Sequence, residues 1–304
     1  MTASVREAPP QRVARPRVSV VIPALNEARN LPLVAGRMPA GIDEIIFVNG
    51  DSQDNTAEVA RRLWPNAVHI QQTRKGKGNA LACGFAAASG DIIVMIDADG
   101  STDPAEIPRF VNALLAGADF AKGSRFLQGG GSADITRFRR LGNRRLNNLV
   151  NALFTTSYTD LCYGYNAFWR RSLDAMCLPD VSTNKPQWGD GFEIETLINV
   201  RLAASGMKIT EVASYEFRRI YGVSNLNVVG DGLRVLSTIQ REFRRSRTPL
   251  KRAGPSHAPV TVPITGANFA NDKTNGEVVH MNGWRQQGHY LGFPDRQLCE
   301  GEVS

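Results

Sequence analysis

No stretch of this 304-residue chain is apolar for long enough to cross a membrane. The strand-like runs, such as Ile92 to Ile96, meet a charge within a few residues, well short of the roughly eighteen apolar residues of a spanning helix. The N-terminal stretch scatters Arg6, Pro9, Pro10, Arg12, Arg15, Pro16 and Arg17 without an apolar core or a small-residue cleavage site. That excludes a secretory signal from the reading and sets a cytoplasmic expectation. The four cysteines, Cys83, Cys162, Cys177 and Cys299, are far apart and form no C-x-x-C pair. A zinc site and a disulfide framework are both excluded, and reduced packing residues are expected. Arginines cluster at Arg137, Arg139, Arg140, Arg144 and Arg145, and again from Arg241 to Arg252, but no zinc-finger, RNA-sheet or basic-zipper signature accompanies them. The net charge of +7 therefore points to anionic partners other than nucleic acid.

Hydrophobic residues at 42% and charged residues at 21% are globular values, sufficient for a sizeable core. Apolar runs of strand length alternate with helical patterns: Val18 to Ile22, then a helix after Asn26; Glu44 to Val48, then a helix after Asp54; Val68 to Gln71, then a helix from about Gly78. Ile92 to Ile96 follows, then a helix opened by Asp103 as cap and Pro104 in the first turn, and a strand at Asp119 to Ser124. Such alternation predicts an α/β fold, a mostly parallel sheet flanked by helices. Beyond Gly129-Gly130-Gly131 the spacing predicts an arginine-rich helix over 139–154, a helix over 193–204 and a strand near Ile209.

From Asp231 to Arg245, Leu233, Leu236, Ile239 and Phe243 recur at helical spacing with arginines opposite, an amphipathic helix. Packing on the domain and lying on an anionic membrane surface are both open to it. After Arg252 the chain turns to Gly, Pro, Asn, Ser and Thr without periodicity, as a mobile tail would.

Asp97-Ala98-Asp99 follows an apolar strand and precedes a Gly-Ser-Thr turn, so two carboxylates stand at the carboxyl end of a parallel sheet, where ligands bind. Hard divalent cations take one or two carboxylates plus substrate phosphates, so the pair suits a metal diphosphate. Aspartates also cap turns after strands, so the neighbourhood has to decide. The other strand ends carry Val20-Val21-Ile22-Pro23-Ala24-Leu25-Asn26-Glu27, Asn49-Gly50-Asp51-Ser52-Gln53-Asp54-Asn55-Thr56 and Arg74-Lys75-Gly76-Lys77-Gly78-Asn79. With Gly123-Ser124-Arg125 and Arg219-Ile220-Tyr221-Gly222-Val223-Ser224, this ordered set resembles glycosyltransferase family 2, most closely the dolichyl-phosphate and polyprenyl-phosphate mannosyl- and glucosyltransferases. The resemblance runs from about Arg17 to Leu226. It implies the GT-A fold and inverting transfer of a hexose from GDP-mannose or UDP-glucose, with Mg2+ or Mn2+ as cofactor. With the composition on either side of it, this divides the chain into a disordered arm over 1–16, a GT-A domain over 17–225, a basic amphipathic helix region over 226–252 and a mobile tail over 253–304.

By that resemblance Pro23, Asn26 and Glu27 lie beside the base and ribose, and Asn49 replaces an acidic residue for which Asp51 can substitute. Asp97, Ala98 and Asp99 form the metal and donor-phosphate motif, although Ser101 stands where the lipid-phosphate enzymes often have glutamine. Lys75 and Lys77 can reach the phosphates or simply be solvated, and Gly78, like Gly76, lets backbone approach a ligand or serves as a plain turn residue. Arg125, Arg140 and Arg219 are expected in the cavity with Ser224 near them, because phosphates favour the guanidinium fork. A polyprenyl phosphate acceptor is already ionised and asks for arginines rather than a base. A hydroxyl acceptor needs a base, for which Asp190 stands first and Glu193 second; Glu193 and Glu195 also suit a helix start electrostatically. A nucleotidyltransferase would show a glycine-rich basic loop after the first strand and a dinucleotide dehydrogenase G-x-G-x-x-G, and neither is present. A non-catalytic nucleotide-sugar-binding homologue is the remaining alternative, suggested by Asn49 and Ser101.

Overall fold

The computed structural model describes residues 15–223 and 227–247. Most of the arm over 1–16, all of the tail over 253–304, and Ser224 lie outside the described residues.

The sheet builds outward from β1 (Val18–Ala24). Its neighbours are β2 (Glu44–Asn49) on one side and, further along the chain, an Ile-Ile-Val-Met strand at Ile92–Met95 on the other. Between them come α1 (Leu31–Ala35), α2 (Thr56–Leu63), β3 (Val68–Gln71) and α3 (Lys77–Ala87). The Ile92–Met95 strand is β4, and all four of its residues are buried, as a strand covered by helices on both faces must be. Then follow α4 (Ile107–Leu115), β5 (Phe120–Ser124), β6 (Gly131–Ser132), α5 (Arg137–Phe154), β7 (Asn166–Trp169), α6 (Leu173–Met176), α7 (Ile194–Ala204), β8 (Ile209–Ala213), β9 (Tyr215–Glu216) and α8 (Val228–Arg247). The main sheet has the order β3-β2-β1-β4-β7-β5-β8, parallel except for β7, which runs antiparallel between β4 and β5. β6 and β9 form a separate two-stranded pair.

Side-chain alternation divides the core. Val20, Ile22, Phe47, Val94 and Ile96 point to one face, which α4 covers with Phe110, Val111 and Leu114. Val21, Ile46, Val48, Ile93 and Met95 point to the other, against α3 and α7. Gly84 of α3 is required there, since a Cβ would stand 2.3 Å from Val21 Cγ1. The Asp103 side chain accepts from Ala105 N at 3.0 Å and Pro104 begins a short 3-10 turn that runs into α4, as its sequence predicts. The Thr136 side chain caps α5 by accepting from Arg139 N at 3.2 Å, so the helix starts at Arg137 rather than 139.

A third core joins α5, α7 and α8 through Val150, Tyr158, Leu161, Val200, Val235 and Ile239. Of the two readings open for the amphipathic helix, α8 thus packs on the domain, but through a face rotated from the predicted one. Val235, Thr238, Ile239 and Glu242 are buried, whereas Leu233 and Leu236 are exposed. On the buried side Val235 and Ile239 pack into this core and the Glu242 carboxylate accepts from Arg201 of α7 at 2.7 Å.

Candidate active site

The carboxyl ends of β1, β2 and β4, the start of α3, the start of α7 and the segment after β9 enclose a cavity of about 500 Å³, within the range of ligand pockets. Across its floor runs a row of alternating charge. Glu27 Oε1 accepts from Arg219 at 2.9 Å, and the same guanidinium donates to Asp99 Oδ2 at 2.7 Å. Next, Asp97 Oδ1 pairs with Lys77 Nζ at 2.6 Å, and Lys77 donates to Glu195 Oε1 at 2.7 Å. Asp99 is further oriented by Ser101 N, 2.9 Å from its other oxygen.

Within this row four carboxylates, Glu27, Asp97, Asp99 and Glu195, face two cations, Lys77 and Arg219. The surplus is two negative charges, which is the charge of one divalent ion. Burial raises the Asp97 carboxyl above its ordinary value, with Asp99 and Glu195 adding to the rise and Lys77 opposing it. Burial likewise raises Glu27 despite Asn30 and Arg219. Lys77 is driven up because its two carboxylate partners outweigh the desolvation of its ammonium. Among the described residues no three acidic, histidine or cysteine side chains converge as a metal cage. Asp97 and Asp99 offer carboxylate oxygens, the donor type that a hard divalent cation takes together with phosphate and water.

The predicted residues divide by place. Pro23, Glu27, Lys75, Lys77, Asp97, Ala98, Asp99, Arg125 and Arg219 line the cavity. Asn26, Asn49 and Asp51 do not; they build the turns behind it. Asn26 adopts φ 58° and Asp51 φ 66°, Asn26 Oδ1 accepts from Gln53 N at 2.7 Å, and Asn49 donates to Gln71 Oε1 at 2.8 Å. These bonds leave Ala24, Leu25, Gly50 and Gln72 on the cavity wall instead.

Gly78 approaches protein, not an open ligand space: its N–H donates to Asp190 O at 2.8 Å, and a Cβ would fall 1.8 Å from Gly189 O. Asp190, expected as the base for a hydroxyl acceptor, does not line the cavity. Its two oxygens accept from Arg74 Nε and a terminal Arg74 nitrogen at 2.9 and 2.8 Å, and one accepts from Gln187 N as well. The carboxylate is spent on tying the 187–190 loop to the start of α3. Glu193, the second candidate, turns back to accept from Gly189 N and Gly191 N.

Arg125 reaches the cavity wall, yet it is 5% exposed and doubly engaged. It forks onto Asp160 at 2.7 and 2.9 Å, donates to both oxygens of Glu216 at 3.0 Å, and lies 4.8 Å from the Tyr163 ring centroid. Arg140 is not on the wall; its guanidinium stands over Phe126. The α5 arginine at the cavity is Arg139, 3.1 Å from Asp134. Sequence reasoning missed Arg139, Asp134, Gln72, Asp160 and Glu216, and left Glu195 evenly balanced between a functional and a helix-start role. Only Arg139 carried a signal, as part of a run of arginines in which the helical register picks out one.

A mostly parallel α/β sheet with paired carboxylates at the end of its central strand has the architecture of the GT-A glycosyltransferase fold. The protein belongs to glycosyl transferase family 2, whose model matches residues 19–176. It is 31% identical to polyprenol monophosphomannose synthase of Mycolicibacterium smegmatis over 69% of this chain and 81% of that one. It is 29% identical to undecaprenyl-phosphate mannosyltransferase of Micrococcus luteus over 71% of this chain and 91% of that one. In fold it is similar to glucosyl-3-phosphoglycerate synthase of Mycobacterium tuberculosis, solved with Mn2+, UDP-glucose and phosphoglyceric acid, with a TM-score of 0.58, 24% identity, and coverage of 75% and 80%.

Proposed function

We propose that this enzyme transfers a hexose, mannose in the first instance, from a nucleoside diphosphate sugar to the phosphate of a polyprenyl phosphate, with inversion at the anomeric carbon. The observation that carries the proposal is the charged row Glu27–Arg219–Asp99 and Asp97–Lys77–Glu195 on the cavity floor. Similarity to two polyprenyl-phosphate mannosyltransferases supports the acceptor and the sugar.

Asp97 and Asp99 would hold a divalent cation, Mg2+ or Mn2+, which neutralises charge on the leaving diphosphate. Lys75 and Lys77 add positive charge beside the same phosphates, so no protein acid has to protonate the leaving group. Arg139, at the head of α5, offers a guanidinium to the acceptor phosphate, while Arg125 holds the wall behind it through Asp160 and Glu216. The acceptor oxygen is already anionic and attacks the anomeric carbon directly; the carbon–oxygen bond to the diphosphate breaks and its electron pair leaves with the nucleotide. Should the acceptor be a hydroxyl instead, we assign the role of base to Glu195, which lines the cavity, rather than to Asp190, which does not.

A membrane-borne acceptor needs a surface to meet it. Among the described residues no helix is long and apolar enough to span a bilayer. The exposed large apolar residues include Phe138 and Leu141 on either side of Arg139, Ile220 and Val223 beside Arg219, and Val229, Leu233 and Leu236 on α8. We read them, with the arginines of α5 and α8, as a peripheral docking face for an anionic cytoplasmic leaflet.

The test is release of nucleoside diphosphate from a panel of GDP- and UDP-sugars with Mn2+ or Mg2+, with and without a short polyprenyl phosphate. Turnover of one donor, stimulated by the lipid phosphate, bears the proposal out. Turnover indifferent to lipid phosphate moves the acceptor to a hydroxyl, and nucleotide binding without turnover makes the chain a sugar-nucleotide-binding homologue.

A further inference from the structure

The two aspartates of the metal motif each carry a protein cation at hydrogen-bond distance: Lys77 on Asp97 and Arg219 on Asp99. A divalent ion placed on these carboxylates would stand close to both, with like charges opposed in a partly desolvated cavity. The two protein cations are not held equally. Arg219 is further tied by Glu27 Oε1 at 2.9 Å and by the Val223 carbonyl at 3.2 Å. Lys77 has its second partner in Glu195 Oε1, at 2.7 Å, and a four-carbon stem that rotates without disturbing a planar fork.

We propose that Lys77 is a placeholder cation, which holds Asp97 while the donor is absent and is displaced from it only when a divalent ion arrives together with the nucleoside diphosphate. Released from Asp97, the ammonium keeps Glu195 and gains the incoming phosphate oxygens, so positive charge is exchanged rather than added. Free metal alone offers Lys77 no such exchange. Metal and nucleoside diphosphate should therefore bind with positive coupling, each raising the affinity of the other by the same factor. Glu195 becomes the residue that retains Lys77 during the exchange, a positioning role for a carboxylate that helix-start electrostatics alone would not need.

The inference rests on the cavity being a donor site for a nucleoside diphosphate, and the experiment separates the two. The full-length protein is titrated with Mn2+ by electron paramagnetic resonance of the free ion, alone and with saturating GDP or UDP. Wild type should bind Mn2+ alone weakly and at least about tenfold more tightly with the nucleotide, a coupling of ~1.4 kcal/mol. Lys77→Met should bind Mn2+ alone more tightly than wild type and show reduced coupling. Lys77→Arg keeps the competing charge on a planar fork that is displaced less readily, so it should bind Mn2+ alone as weakly as wild type does and show reduced coupling. A gain in metal affinity is not what structural damage produces, and melting curves show whether each variant is folded. If Lys77→Met fails to fold, the wild-type coupling and Lys77→Arg still decide. Equal Mn2+ affinity with and without nucleotide overturns the placeholder role while leaving the donor site intact. Absence of GDP and UDP binding even with Mn2+ overturns both.

Discussion

Arg74 and Asp190, 116 residues apart in sequence, share a two-pronged ion pair of 2.9 and 2.8 Å in which the arginine side chain is 3% exposed. The pair locks the 187–190 loop to the segment that starts α3, and α3 carries Lys77. Asp190→Asn should lower stability by about 3 kcal/mol, because one partner of a buried pair is left uncompensated. Thermal melting checks this. Turnover per folded molecule, with saturating metal and donor, should fall far less than the ~100-fold or greater loss that follows removal of a general base. A loss that large in a normally melting protein would return Asp190 to the chemistry.

Asp99→Ala should reduce nucleoside diphosphate release by about 100- to 1,000-fold, the scale of losing one preorganised electrostatic contact at the leaving group. Chelation with EDTA should abolish turnover in wild type, and added Mn2+ or Mg2+ should restore it. Undiminished release in EDTA would remove the metal from the mechanism.

Gly78→Ala drives a methyl group toward Gly189 O, only 1.8 Å from an ideal Cβ, so the 189–191 loop must yield. The expected cost is about 1–3 kcal/mol in melting experiments. Nucleotide affinity should weaken as well, since the displaced loop is hydrogen-bonded to the first turn of the helix that places Lys77.

Burial pushes the Cys162 thiol from an ordinary 9.0 up to about 12 and raises Tyr158 and Tyr163 above the usual phenol value. These groups hold their protons more tightly folded than unfolded. Their contribution to stability is complete below about pH 9 and is lost as pH climbs from there toward 12. Melting temperature should fall across that window, with tyrosinate absorbance for Tyr158 and Tyr163 appearing only as the protein unfolds. Free titration of every tyrosine in the folded state would contradict the assignment.

Leu233 and Leu236 face outward from α8 while Val235 and Ile239 face the core. Replacing both leucines with aspartate should leave the melting curve unchanged and abolish co-flotation with anionic vesicles at low salt. The docking face is wrong if wild type itself does not float, or if the double variant floats equally well.

The strand ends of this protein were legible because their signals are local. An apolar run followed by Pro23, by Asn49-Gly50 or by Asp97-Ala98-Asp99 is a property of adjacent residues, and each such run became a parallel strand with its motif at the carboxyl end. The antiparallel β7 was not legible, since Asn166–Trp169 is four residues long and its place depends on β4 and β5 accepting it. Within the site, sequence determined which residue types line the cavity: Asp97, Asp99, Lys77 and Arg219 were all named from their motifs. Only the tertiary structure decided their partners. Lys77 and Glu195 are 118 residues apart, and a carboxylate in the first turn of α7 satisfies the helix dipole equally well whether it points to solvent or into a cavity. The same holds for Arg139 and Arg140: neighbours on a helix point about 100° apart, so one turns to the cavity and the other to Phe126, and the rotation is set by what α5 packs against rather than by either arginine.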